Sequence, residues 1–141
     1  MSLIYWDTML FVYWLEADPT FGMRTKEIWD KMLERGDTLC TSIFTVGEVL
    51  TGFYKRSDRE RAAEAREMFE LPDIQLLPLT IEVTERYAQI RAAQRLTPAD
   101  AIHLATASVA NANLFLTNDA AISKLTVPGI DFVAGLNVNL F

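Results

Sequence analysis

Short apolar runs alternate with longer amphipathic segments along most of the chain, and this order limits the folds open to it. Apolar runs of four or five residues are typical of strands buried in a parallel sheet, whereas apolar residues that recur every three to four positions predict helices. Strands that alternate with helices build an α/β fold around a mainly parallel sheet. We therefore predict an α/β sandwich in which helices flank such a sheet.

The bounds of these elements follow from the apolar pattern and from the turn residues between the runs. Strands are predicted at residues 3–6, 39–42, 74–77 and 114–117, with a last edge strand at 130–133. Helices are predicted at residues 8–15, 24–34, 45–54, 58–71, 81–95, 97–110 and 119–124. Gly36 predicts the end of the second helix, and Pro128-Gly129 predicts a turn. On the second helix, the residues expected in the core are Ile28, Met32 and Leu33. The sequence has no repeat, low-complexity tract or linker, so residues 1–141 are predicted to form one domain.

The charge balance argues against binding to nucleic acid by bulk attraction. The chain has 19 acidic and 13 basic residues, a net charge of −6, whereas proteins that bind nucleic acid in this way are usually basic. Local basic residues and bound cations would have to attract the phosphates. Lys55 and Arg56 are our candidates for phosphate contact because they lie closest in sequence to Glu48, an acid singled out below. The alternative for this basic stretch is a solvated face of alternating charges.

Residue counts exclude several kinds of site. A single cysteine, Cys40, can form neither an intramolecular disulfide nor a thiolate zinc cage. A single histidine, His103, excludes mechanisms that need two imidazoles. No apolar run approaches the roughly 18 residues of a membrane helix, and no secretion signal is recognisable. We therefore expect a cytoplasmic protein without a membrane partner.

Four acidic residues occupy positions where function is concentrated in α/β folds. Asp7 and Asp119 directly follow predicted strands, and the sites of such folds lie at the carboxyl ends of the strands. Asp100 lies in the first turn of a predicted helix, and Glu48 lies inside an otherwise apolar helix. Taken singly, each has a structural explanation. Asp7 and Asp119 would be helix N-caps. Asp100 would belong to a capping box that Thr97 opens, and Glu48 would face solvent.

Taken together, the four acids favour a metal site. Clustered carboxylates repel one another unless cations neutralise them, and oxygen ligands without His or Cys select hard ions such as Mg²⁺ or Mn²⁺. Two such ions about 3.5–4 Å apart can support an in-line displacement at phosphorus by activated water, with no side-chain nucleophile. His103, one turn after Asp100, could add a ligand, although a packed or surface histidine is the preferred interpretation.

Four short blocks resemble the motifs of PIN domains, in the order and spacing of that family and across nearly the whole chain. They are Asp7-Thr8, Gly47-Glu48-Val49-Leu50, Asp100-Ala101-Ile102-His103-Leu104-Ala105-Thr106-Ala107 and Thr117-Asn118-Asp119. The size of the chain is similar to that of VapC-type toxins of toxin–antitoxin pairs. The resemblance implies a single PIN-like domain over residues 1–141, a three-layer sandwich with a mainly parallel central sheet.

The resemblance also implies the activity and the ligands. It implies an endoribonuclease that uses Mg²⁺ or Mn²⁺, a homodimer, and inhibition by a cognate antitoxin. The metal ligands and catalytic residues that it implies are Asp7, Glu48, Asp100 and Asp119. The residues that it implies as hydrogen-bonding support for the metal site are Thr8, Thr117 and Asn118.

Two other functions stay open. A phosphotransfer or receiver-like domain would use an aspartate at a strand end as phosphate acceptor, but it needs a second early acid and a late lysine. Here Thr8-Met9-Leu10 follow Asp7, and Lys124 is the only late lysine. A PIN-like scaffold that only binds a partner would keep the fold without the chemistry, and the intact acid set argues against it.

Overall fold

A single parallel sheet forms the centre of the computed structural model, which describes residues 1–139. Its strands are β1 (Leu3–Trp6), β2 (Thr38–Ser42), β3 (Ile74–Leu77), β4 (Leu114–Leu116) and β5 (Phe132–Ala134). The strand order is β3-β2-β1-β4-β5, and every neighbouring pair is parallel. The predicted α/β class with a mainly parallel sheet is confirmed.

Helices cover both faces of this sheet and give three layers. They are α1 (Thr8–Leu15), α2 (Gly22–Arg35), α3 (Ile43–Lys55), α4 (Arg59–Phe69), α5 (Ile81–Ala93) and α6 (Pro98–Val109). Residues of α1 to α4 pack in one buried cluster with Ile4 and Trp6, whereas α5 and α6 pack in a second cluster with Tyr5. Successive side chains of β1 point to opposite faces of the sheet, so this short strand contributes side chains to both clusters. None of the helices within residues 1–139 is long and apolar enough to cross a bilayer.

The order of the strands creates a crevice at the carboxyl edge of the sheet. From β1 the chain moves outward through β2 to β3, and it then returns to the other side of β1 for β4 and β5. The direction therefore reverses between β1 and β4, whose register pairs Trp6 with Leu116. The backbone N–H of Asp7 continues this pairing to the carbonyl of Leu116, at 3.0 Å. Ligands of open α/β sheets bind at such a reversal.

Besides shifts of one or two residues at the ends of several other elements, three details of the sequence prediction are wrong. Residues 120–124 form successive turns and not a helix, since the Asp119 carboxylate and carbonyl bind N–H groups of the following residues in one local turn. The last strand begins at Phe132, two residues later than predicted, because the backbone N–H of Ile130 still closes the turn by donating to the Val127 carbonyl at 3.1 Å, and residue 131 lies in a bend. Leu33 is 55% exposed, because it lies about 100° around α2 from the buried Met32.

Candidate active site

An acidic pocket lies at the crevice between β1 and β4. Its volume is about 340 Å³, and all four acids singled out in the sequence line it: Asp7, Glu48, Asp100 and Asp119. The three predicted supporting residues, Thr8, Thr117 and Asn118, line the pocket as well. Strand ends and two helices thus bring together residues that are up to 112 positions apart.

Asp7 is held between β1, α1 and the end of β4. It is the N-cap of α1, and its Oδ1 accepts a hydrogen bond from the backbone N–H of Thr8 at 2.8 Å. Its Oδ2 accepts the hydroxyl hydrogen of Thr117, also at 2.8 Å. Asp7 therefore caps α1 and lines the pocket at the same time, because capping fixes the orientation of the carboxylate that faces the crevice.

Glu48 is held by two donors from other elements. Its Oε1 accepts hydrogen bonds from the Thr8 hydroxyl at 2.6 Å and from Nε2 of His103 at 2.5 Å. Burial raises the pKa of Glu48, but the hydrogen bonds that its carboxylate accepts from His103 and Thr8 lower it and outweigh burial. The net result is a pKa below the ordinary value of a glutamate. The side chain is 28% exposed, so it does not extend freely into solvent.

Asp100 and Asp119 are held mainly by residues near them in sequence. Thr97 caps α6 and accepts the Asp100 backbone N–H at 3.2 Å, which confirms the predicted cap. The backbone N–H of Asp119 donates to Thr117 Oγ1 at 3.1 Å, and Asp119 Oδ1 accepts from the N–H of Ala121 at 2.9 Å. Burial raises the pKa of Asp100, and the negative charges of Asp7 and Asp119 raise it further.

The donor set fits a hard divalent cation. The four pocket acids offer only carboxylate oxygens as ligands. The negative charges of Asp7 and Asp119 repel that of Asp100, and a bound cation would relieve this repulsion. Within residues 1–139, no group of three or more His, Cys, Asp or Glu side chains is arranged to hold an ion by itself. Mg²⁺ commonly keeps several waters and takes only one or two carboxylates, so an open acidic pocket suits it.

The basic residues considered in the sequence lie elsewhere. Among the described residues that line the pocket there is no lysine or arginine. Lys55 and Arg56 lie seven and eight positions beyond Glu48, and Arg56 forms an ion pair with Glu16 while its guanidinium lies over the ring of Phe53. Lys124 is exposed and does not line the pocket, so the arrangement lacks the lysine that a phosphotransfer site needs.

His103 and Tyr5 are the residues whose role the sequence did not reveal. His103 is only 3% exposed, so the packed alternative is correct and the surface alternative is wrong. Its ring links Glu48 on one side to the buried hydroxyl of Tyr5 on the other. One signal for this role was present in the sequence. His103 lies on the apolar side of α6, and a buried imidazole needs hydrogen-bond partners. Its partners are 55 and 98 positions away, beyond any local pattern.

Comparison with known proteins places this sequence in a family. The sequence model described as "PIN domain" matches residues 4–127. Among curated proteins, none matches this sequence.

Solved structures share the fold at low identity. VapBC2 from Rickettsia felis bound to a promoter DNA fragment gives a TM-score of 0.76 at 16% identity, over 94% of this chain and 98% of that one. A toxin–antitoxin complex from Klebsiella pneumoniae gives 0.63 at 22% identity, over 90% and 94%. VapC20 from Mycobacterium tuberculosis, a sarcin–ricin loop cleaving toxin, gives 0.68 at 16% identity, over 79% and 86%.

Proposed function

This chain belongs to the PIN-domain family, and from that premise we propose that it is a divalent-metal-dependent endoribonuclease, the toxin of a VapC-type toxin–antitoxin pair. The observation that carries the proposal is the convergence of four acids from four parts of the sequence on one pocket. The fold shared with toxin–antitoxin structures supports the same function.

The residues proposed to hold Mg²⁺ or Mn²⁺ are Asp7, Glu48, Asp100 and Asp119. A divalent ion held by these residues would lower the pKa of a bound water and would stabilise negative charge on a phosphate. Asp7 and Glu48 are already oriented by hydrogen bonds from Thr117, Thr8 and His103. A carboxylate has about four lone-pair sites on its two oxygens, so the two hydrogen bonds to each of these side chains leave capacity for a further partner.

Water is the proposed nucleophile, because the hydroxyl groups around the pocket are engaged. The Thr8 hydroxyl donates to Glu48, and the Thr117 hydroxyl donates to Asp7. The Tyr13 hydroxyl accepts a hydrogen bond from the amide of Asn118 at 2.9 Å. A hydroxyl that donates to a carboxylate could be activated by it, but here both carboxylates belong to the proposed metal site. Hydrolysis by water thus suits this arrangement better than a covalent intermediate.

The proposed substrate is RNA, and the proposed regulator is an antitoxin. With a net charge of −6, the chain needs cations or local basic residues to attract phosphates, and Lys55 and Arg56 remain our candidates.

We propose that an arginine of the antitoxin enters among the four carboxylates and replaces cation charge with guanidinium charge. Full metal affinity retained by the complex in a titration would contradict this mode of inhibition. We further propose that the toxin is cytoplasmic. We also propose that it is a homodimer, which light scattering on the purified chain would test.

The test is a cleavage assay on a pool of structured RNAs with Mg²⁺ or Mn²⁺, with EDTA as a control. The variants are Asp7→Asn and Asp100→Asn, which remove one charge each and keep the side-chain size. Asp30→Asn is the matched control, because Asp30 is exposed on α2 and pairs with Lys26 of the same helix, at 3.0 Å. We expect metal-dependent cleavage by the wild type and by Asp30→Asn. Loss of several kcal/mol of charge stabilisation should reduce cleavage in the two pocket variants by a factor on the order of 10² to 10³.

Two results would count against the proposal. Cleavage that survives both pocket substitutions would assign the activity to another site or to a contaminant. Absence of cleavage by every form, together with divalent-ion binding to the wild type, would favour a PIN-like scaffold that binds without catalysing.

A further inference from the structure

A buried chain of hydrogen bonds runs from the sheet to the acidic pocket. It begins at Ser42, whose backbone N–H lies 3.2 Å from the Tyr5 hydroxyl. The Tyr5 hydroxyl lies 2.6 Å from Nδ1 of His103, and Nε2 of His103 lies 2.5 Å from Oε1 of Glu48. Tyr5 is completely buried and His103 is 3% exposed, so most of this chain is shielded from water.

The hydrogens of this chain have one consistent direction. The Tyr5 oxygen accepts from the N–H of Ser42, which leaves its own hydrogen free to be donated. Nδ1 of His103 is the acceptor at the shortest distance, whereas the Thr45 hydroxyl lies 3.5 Å from the same nitrogen. A neutral imidazole with an accepting Nδ1 carries its hydrogen on Nε2. That hydrogen then points at the carboxylate of Glu48.

Aromatic packing holds both rings of the chain in place. Tyr5 is stacked on Phe115 with ring centroids 4.9 Å apart and planes 7° apart. Phe44 meets the His103 ring edge-on at 5.7 Å. Rotation of either ring would break these contacts and leave a buried polar group without a partner, which is unfavourable. The imidazole is therefore a rigid donor.

We propose that His103, oriented by Tyr5, is a positioning residue that fixes the carboxylate of Glu48 for divalent-ion binding; this rests on the proposed function of the pocket. Glutamate has many rotamers, and an unsupported one would lose conformational freedom when it binds an ion. The Nε2–H of His103 and the Thr8 hydroxyl both hold Oε1, which keeps Glu48 in one rotamer before the ion arrives. Groups that support metal ligands in this way typically contribute factors of 10 to 100 in affinity or activity.

The first test compares His103→Leu with His103→Gln. Leucine removes both hydrogen bonds, whereas the glutamine amide can place an N–H donor near the position of Nε2. We measure RNA cleavage, and Mn²⁺ affinity by electron paramagnetic resonance. His103→Leu should lose about 10- to 100-fold in both, and His103→Gln should regain most of the Mn²⁺ affinity. Wild-type affinity in a folded His103→Leu variant would overturn the proposal.

The second test concerns Tyr5, with Tyr87 as the matched control. Tyr5→Phe removes only the hydroxyl that orients His103 and should weaken Mn²⁺ binding. Tyr87→Phe removes a hydroxyl on α5 that contacts Arg91 at 3.3 Å outside the pocket, so its Mn²⁺ affinity should equal that of the wild type. Equal affinities in both variants would remove Tyr5 from the proposed role. Circular dichroism on each variant identifies losses caused by unfolding.

The third test needs neither metal nor RNA. Because the chain has a single histidine, the imidazole region of a ¹⁵N NMR spectrum reports on His103 alone. We expect the ring hydrogen on Nε2 rather than on Nδ1 in the wild type, and a mixture of the two tautomers in Tyr5→Phe. A hydrogen on Nδ1 with none on Nε2 would overturn the proposal, because Nε2 could then donate nothing to Glu48. A wild type with this tautomer that neither binds Mn²⁺ nor cleaves RNA would overturn the proposed function, and with it the role given to Glu48.

Discussion

The four acids of the pocket are held in two different ways. Asp7 and Glu48, the braced pair, accept hydrogen bonds from side chains of distant elements: Thr117 for Asp7, and His103 for Glu48. Asp100 and Asp119, the local pair, are fixed chiefly by hydrogen bonds to residues within three positions of them in sequence. The position of the braced carboxylates therefore depends on the whole fold, whereas the position of the local pair depends on a cap and a turn.

This difference should determine how each acid tolerates a change of length. A carboxylate held by rigid donors is placed accurately, and moving it by one methylene separates it from those donors. A displacement of about 1 Å at a catalytic group can cost a factor of about 10² in rate. An acid in a local turn has fewer distant contacts to lose, so its carboxylate can adjust. The comparison thus separates the effect of position from the effect of charge.

Within this comparison, the largest effect is expected from shortening the side chain of Glu48, set against lengthening that of Asp119. Glu48→Asp keeps the charge but withdraws the carboxylate from Thr8 and His103, so cleavage should fall on the order of 100-fold. Asp119→Glu keeps the charge and adds reach, and its loss should stay under about tenfold. Cleavage rates at saturating Mg²⁺, measured on the same RNA, provide the comparison.

Glu48→Gln is the control for this experiment, because glutamine can still accept hydrogen bonds from Thr8 and His103 but lacks the charge. If position matters as much as charge, Glu48→Asp and Glu48→Gln should lose activity to a similar extent. Equal losses in Glu48→Asp and Asp119→Glu would show that the distinction between the braced and the local pair has no functional consequence.

A smaller effect is expected from weakening one contact of the braced pair. Thr8→Val removes the hydroxyl that donates to Glu48 at 2.6 Å and keeps the branched shape of the side chain. His103 still holds the same oxygen, so we expect a loss near the lower end of the usual range, about tenfold in Mn²⁺ affinity and cleavage. Thr84→Val is the matched control, because the Thr84 hydroxyl donates to the Ile81 carbonyl within α5, outside the pocket. A similar loss in both variants would point to a general effect of the hydroxyl and not to Glu48.

Much of the fold was predictable because local chemistry marks where elements end. The bounds of β1, α1 and β3 agree with the prediction residue for residue, since a polar residue or a proline follows each apolar run. Gly36 ends α2 with a left-handed backbone at φ 72°, as glycine allows. The predicted ends of α4 and α5 were two residues too long, because nothing in the local composition distinguishes a last helical turn from the loop after it.

The meeting of the four acids was predictable, but the way they are held was not. Asp7 and Asp119 follow strands, and parallel strands bring their carboxyl ends to one edge. The support of Glu48 depends on Tyr5, which reads in sequence as one more apolar residue of a buried strand. Its hydroxyl meets His103 only because the alternation along β1 turns Tyr5 towards α6. Pairings at such separations are set by tertiary packing, for which a single sequence gives no local signal.

The smallest effect is expected from the cap of the local pair. Thr97→Ala removes the oxygen that accepts the Asp100 N–H and should destabilise the protein by about 1 kcal/mol, a fall in Tm of about 4 °C. Ala101, Leu104 and Ala105 of α6 are completely buried, so packing should keep Asp100 in place and leave cleavage within about twofold. Thr80→Ala, which removes the equivalent cap of α5, should lower the Tm equally. If Thr97→Ala reduced cleavage tenfold while Thr80→Ala did not, the cap would itself position Asp100, and the local pair would need to be regarded as braced through α6.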